Sequence, residues 1–156
     1  MDENAPSPKQ IPSEGAFRVR VRYCECDPMG VAHHSAYVPW LEEARTELLR
    51  ASGVSYAQLE AEGVFLAVVR LETTYRRPAR YDDVVEVRVR VVGGSRVKIR
   101  HEYKVVLAER AGLAPDRIAA MRHHGEDVLA LAATTLACIN AEGRPRQLPD
   151  WLAARE

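Results

Sequence analysis

Apolar and polar residues alternate strictly from Phe17 to Tyr23: Phe17, Val19, Val21 and Tyr23 face one way, and Arg18, Arg20 and Arg22 the other. A period of two is the pattern of a half-buried strand, with one face on a core and one in water. The period then lengthens. From about Ser35 to Ser52, the residues Tyr37, Trp40, Leu41, Ala44, Leu48 and Ala51 recur at intervals of three and four, with Glu42, Glu43, Arg45, Glu47 and Arg50 mostly on the other side. That spacing predicts a helix with a single apolar stripe, Ser35 as its N-cap and Gly53 as its stop. Pro39 is awkward in this frame, because its missing N–H would be owed to the first intrahelical bond; either the first turn is irregular or the regular helix begins nearer Pro39. Ser55 and Gln58 have the spacing of a capping box for a short second helix ending by Gly63.

Strand patterns follow. Val69, Leu71, Thr73 and Tyr75 alternate with Arg70, Glu72, Thr74 and Arg76, and Pro78 with Asp82-Asp83 ends that run. Val85, Val87, Val89 and Val91 alternate with Glu86, Arg88 and Arg90; Gly93-Gly94 then supplies a hairpin turn into Val97, Ile99, Tyr103, Val105 and Leu107. Residues 109–127 read as a long connection with one helical turn around Arg117 to Met121. A last strand from Val128 to Ile139 carries few charges and should lie inside the sheet. Beyond Arg144, Trp151-Leu152 suggests a docked short helix.

The order strand, long helix, four strands in meander is an α+β arrangement: an antiparallel five-stranded sheet around one principal helix. The expected division is a loose tail over 1–15, a folded domain over 16–143 and a C-terminal extension over 144–156. Long alternating strands at a sheet's rim offer unpaired backbone groups, which predicts a homo-oligomer, a dimer or a dimer of dimers, hence a homotetramer.

Composition narrows the function classes. The chain has 156 residues, 47% of them hydrophobic and 28% charged, enough to bury a core in one domain without disulfides or a structural metal. Its 22 basic and 22 acidic residues cancel, so no global field draws it to nucleic acid or an anionic membrane. Any anion must be met locally, and most of the basic residues are Arg, the better bidentate partner for phosphate. No apolar run approaches the ~20 residues of a membrane span, and residues 1–15 lack the pattern of a signal peptide, which points to the cytoplasm. The three cysteines, Cys24, Cys26 and Cys138, are too few and too oddly spaced for a disulfide framework.

The chemically informative segment is Cys24-Glu25-Cys26-Asp27-Pro28-Met29-Gly30-Val31-Ala32-His33-His34-Ser35-Ala36-Tyr37, between the first strand and the helix. Hydrolysis at a carbonyl carbon needs a nucleophile or activated water on one side and hydrogen-bond donors for the oxyanion on the other. A carboxylate seven residues before a helix start can supply the first, and the unpaired amides at that start the second. Gly30 lets the loop turn sharply.

This segment, together with Glu42-Glu43-Ala44-Arg45 and Arg77-Pro78-Ala79-Arg80-Tyr81-Asp82-Asp83, resembles hotdog-fold acyl-CoA thioesterases, in particular the 4-hydroxybenzoyl-CoA thioesterase family, over residues 17 to 140. The resemblance implies a hotdog fold and a cofactor-free, metal-free hydrolase acting on a small aromatic or short- to medium-chain acyl-CoA. It implies Asp27 as nucleophile or general base, His34 as the residue whose backbone N–H meets the thioester oxygen, and Tyr37 orienting the helix start or lining the pocket. Arg96, Lys98 and Arg146 are its candidates for the coenzyme A phosphates.

Two rival readings remain. A metal site could draw on Cys24, Cys26, His33-His34 and His123-His124, but the C-x-C has no second pair at zinc-binding spacing. The same fold could instead serve a non-hydrolytic acyl-binding or regulatory subunit, a dehydratase-like relative, or an acyl-carrier-protein thioesterase.

Overall fold

The computed structural model describes residues 11–153; of the expected tail over 1–15, residues 1–10 lie outside the described residues, as do 154–156, and the first strand already begins at Glu14. In chain order the elements are β1 (Glu14–Arg20), α1 (Tyr37–Arg50), α2 (Tyr56–Ala61), β2 (Phe65–Tyr75), β3 (Val84–Gly94), β4 (Lys98–Glu109), α3 (Pro115–His123) and β5 (Val128–Ile139). The strands form one antiparallel sheet in the order β1-β3-β4-β5-β2, curved around α1. This is the hotdog arrangement. Its helix is of ordinary length, 14 residues, or ~21 Å at 1.5 Å per residue.

The four-strand meander holds only for β3, β4 and β5. β2 pairs with β5 rather than β3, so residues 76–83 cross the end of the sheet to reach β3. Alternation fixes which face a residue takes but not which neighbour the strand finds. The crossing supplies one wall of the site described below. β5 lies inside the sheet, between β4 and β2, as its low charge predicts.

Other differences have local causes. β1 stops at Arg20, opposite the first residue of β3, because no ladder partner continues beyond it. Val21 stays buried through backbone bonds with Asp82 and Asp83, whereas Tyr23, in a 3₁₀ turn, is 82% exposed. α1 is preceded by a second 3₁₀ turn, His34–Ala36, capped by His33 rather than Ser35. The regular helix starts at Tyr37, which puts Pro39 in its first turn, where no N–H is owed. Its buried stripe is Tyr37, Trp40, Leu41, Ala44, Arg45, Leu48 and Leu49; Ala51 is exposed and Arg45 faces inward. Gly93 and Gly94 end β3 rather than forming the turn, and a Cβ on Gly94 would lie 2.2 Å from the Lys98 carbonyl oxygen. α3 is longer than the expected single turn, and the segment around Trp151 folds as turns rather than a helix.

The interior is divided. One apolar cluster joins Trp40, Leu41 and Ala44 to Val85, Val87, Val105, Leu107 and Leu129. A second joins Leu49, Leu59 and Val64 to Ile99, Leu136, Leu148 and Leu152. Between them, where the inward faces of α1, β4 and β5 meet, the buried polar side chains of Arg45, His101 and Thr134 interrupt the packing. Among the described residues no helix is long and apolar enough to cross a membrane.

Candidate active site

The segment after β1 folds into a small hairpin of its own. Cys26 pairs with Ala32, the Asp27 N–H donates to the Val31 carbonyl at 3.0 Å, and the Gly30 N–H returns to the Asp27 carbonyl at 2.9 Å. Closing so tight a loop requires the positive φ of 77° that Gly30 adopts. The hairpin is pinned to the crossing segment by the Ala32 N–H on the Ala79 carbonyl at 2.8 Å and by a bridge between Val31 and Arg80. That segment is braced in turn: the buried Asp83 carboxylate accepts the Arg80 N–H at 2.8 Å and two bonds from Arg110, at 2.9 and 2.7 Å.

Asp27, His34 and Tyr37 line one cleft of about 310 Å³, together with Val31, Ala32, Tyr75, Arg76, Arg77 and Pro78. The Asp27 Oδ1 accepts the Met29 N–H at 2.9 Å, and Oδ2 has no protein partner among the described residues. The helix start offers less than four free amides. His33 takes two of them, the Ser35 N–H on its Nδ1 at 3.2 Å and the Ala36 N–H on its carbonyl at 2.9 Å. The His34 N–H has no hydrogen-bond partner among the described residues, so of these amides it is the open one. The His34 carbonyl accepts the Tyr75 hydroxyl at 2.7 Å, which holds that residue in place from β2. Tyr37 is buried against Trp40 and Tyr75, and burial pushes its hydroxyl pKa up, so it stays neutral.

Asp27 and His34, the one with a carboxylate and the other with an N–H that has no partner among the described residues, thus line the same cleft; a carboxylate and a free donor are the two functions that addition to a carbonyl requires. Gly30 shapes the loop without lining the cleft. Arg96, Lys98 and Arg146 gather at the opposite end of the sheet: Lys98 pairs with Ala137, the Arg146 N–H bonds the Cys138 carbonyl and the Arg96 carbonyl accepts from Leu148. Tyr75 pairs with Ala130, so seven residues of β5, roughly 23 Å, separate the basic group from the cleft within one chain. Tyr75, Arg76 and the capping role of His33 have no distinguishing sequence signal; Tyr75 reads as the last apolar residue of a strand. Cys24, Cys26 and the histidine pairs form no group of three or more ligands among the described residues.

Comparison with known proteins gives the same class. The sequence matches the thioesterase-like superfamily over residues 21–155. It is 36% identical over 91 residues to the acyl-CoA thioester hydrolase YbgC of Escherichia coli, covering 58% of this chain and 68% of that protein. A hypothetical protein of Thermus thermophilus, known from its crystal structure, superposes with a TM-score of 0.70 at 38% identity, covering 88% of this chain and 90% of that one. The DHNA-CoA thioesterase of Staphylococcus aureus superposes with a TM-score of 0.72 at 26% identity, covering 86% and 80%. Matched along most of its length in sequence and in fold, the chain belongs to the thioesterase-like superfamily and is a thioester hydrolase of the hotdog type.

Proposed function

We propose that the protein hydrolyses the thioester of a small aromatic or short- to medium-chain acyl-CoA to the free acid and CoA. The observation that carries this reading is the Asp27 carboxylate sharing its cleft with the unpartnered His34 N–H. Asp27 either takes a proton from water as it adds to the carbonyl, or adds directly to give a mixed anhydride that water then opens. In both routes negative charge develops on the thioester oxygen, the His34 N–H accommodates it, and the C–S bond breaks; in the first route the CoA sulfur takes up the proton that Asp27 drew from water, and in the second it leaves as a thiolate and is protonated from the water that later opens the anhydride. Tyr75 and Tyr37 hold the helix start against the cleft.

The working unit is a homo-oligomer. β2 is an outer strand that exposes Val68, Val69 and Leu71 along 11 residues, an apolar rim with backbone groups free to pair. Antiparallel pairing of two such rims about their middles brings the Phe65 end of one chain beside the Tyr75 end of the other. Arg96, Lys98 and Arg146 of one subunit then approach the Asp27 cleft of its neighbour, where the phosphates of CoA need cations.

Release of free CoA from a panel of acyl-CoAs differing in chain length and ring, with acyl-carrier-protein thioesters beside them, tests the reading. Asp27→Asn should lower kcat by about a hundred- to ten-thousand-fold with the best substrate. Equal background release by wild type and Asp27→Asn leaves the fold intact and removes the hydrolytic assignment, in favour of an acyl-binding role.

A further inference from the structure

We infer that Glu25 is a positioning residue that sets the separation between Asp27 and the His34 amide, acting through Trp40; the inference rests on the catalytic reading of Asp27 proposed above. Glu25 is a buried carboxylate in a 3₁₀ turn two residues before Asp27. Each contact to its oxygens comes from a donor. The Trp40 Nε1–H reaches Oε1 at 3.0 Å, the Arg22 Nη2 reaches Oε1 at 3.1 Å, and the Arg22 N–H reaches Oε2 at 2.8 Å. Burial pushes its pKa up, but the bonds from the Arg22 amide, the Trp40 indole and the Arg22 guanidinium outweigh burial and bring it below the usual carboxylate range.

The same residue grips the helix start a second time. The Glu25 carbonyl accepts the His33 N–H at 2.7 Å, closing the base of the hairpin that carries Asp27 at its turn. One residue therefore holds both the helix and the turn that leads into it: through its side chain at Trp40, the fourth residue of α1 and 1% exposed, and through its backbone at His33, the cap of the 3₁₀ turn that begins at His34. Asp27 lies two residues beyond one anchor and the His34 amide one residue beyond the other. A change at Glu25 moves the carboxylate and the amide relative to each other without touching substrate.

Because each hydrogen-bond partner of the carboxylate among the described residues is a donor, Glu25→Gln must turn its amide nitrogen toward one of them and lose a bond. Trp40→Phe removes the indole donor while keeping a ring in the core. A misplacement of about 1 Å in a reacting group can cost on the order of a hundredfold in rate. Each variant should lower kcat by about tenfold to a hundredfold with KM within about twofold of wild type, because binding contacts are untouched while the transition state is misaligned. The double variant should be no slower than the slower single one, since both break the same strut. Hydrogen exchange of residues 26–36 should quicken in both variants.

Asp27→Asn is measured alongside. If it is inactive while folded Glu25→Gln and Trp40→Phe keep wild-type kcat, or if their losses multiply in the double variant, the positioning role is overturned and the Asp27 site stands. Activity retained in Asp27→Asn overturns both. Unchanged exchange over 26–36 in Glu25→Gln overturns the strut whatever the kinetics.

Discussion

Acidification should destabilise this protein through one imidazole, His101. The side chain lies in the polar layer between the two apolar clusters, 5% exposed, and its Nδ1 has no hydrogen-bond partner among the described residues. Burial, and secondarily the Arg45 cation, lower its pKa from 6.5 to about 4. In the unfolded chain the same group binds a proton near pH 6.5. Between these values the unfolded state holds more protons than the folded one, so stability is complete above pH 6.5 and declines as the pH falls toward 4. At ~1.4 kcal/mol per pH unit the full loss is about 3 kcal/mol, a large part of the 5–15 kcal/mol typical of a domain. Urea unfolding of wild type and His101→Leu at intervals from pH 7.5 to 4.5 isolates the effect. Carboxylates with lowered pKa, such as Glu25 and Glu86, also weaken the fold in acid, but they do so equally in both proteins. The stability difference between the two should shift in favour of the variant by about 2 kcal/mol between pH 7 and pH 5. Parallel pH profiles would refute the assignment of a buried, neutral imidazole.

Other outcomes follow from single contacts. Arg110→Gln leaves the Asp83 carboxylate buried without its bidentate partner and should cost about 3–5 kcal/mol in urea unfolding, with an isosteric change at Asp83→Asn recovering part of it in the double variant. Gly94→Ala drives a Cβ into the Lys98 carbonyl and should lower stability by about 1–3 kcal/mol, seen as a reduced melting temperature. Val69→Lys, on the exposed β2 rim, should shift the mass measured by light scattering from oligomer to monomer and lower turnover, because the basic end of a second subunit is then lost; an unchanged mass refutes that pairing.

Much of this was legible in the residues, for a physical reason. Period-two runs announced the strands because one face of each had to be apolar, and the three-and-four spacing of Trp40, Leu41, Ala44 and Leu48 announced α1. Asp27 and Gly30 stood out by residue type and by their distance from the helix. Pairing partners were not legible, because β2 and β3 look alike in alternation whether or not they are neighbours. By its charge Arg45 reads as a wet-face residue; its neighbours, not its own identity, bring it inside. The contacts of Tyr75 and Glu25 have no local signal for the same reason. Their importance lies in bonds to His34 and Trp40, 41 and 15 residues away in sequence, and nothing local encodes such a contact.

The split interior also separates the duties of the two ends of the molecule. Ile11, Leu148 and Leu152, close to the chain's extremities, all rest on the cluster around Leu136, whereas the cleft is built over the cluster around Trp40. Repacking of the Leu136 cluster is therefore felt first by the half that carries Arg96, Lys98 and Arg146, and on the function proposed above it should raise KM for acyl-CoA well before it lowers kcat.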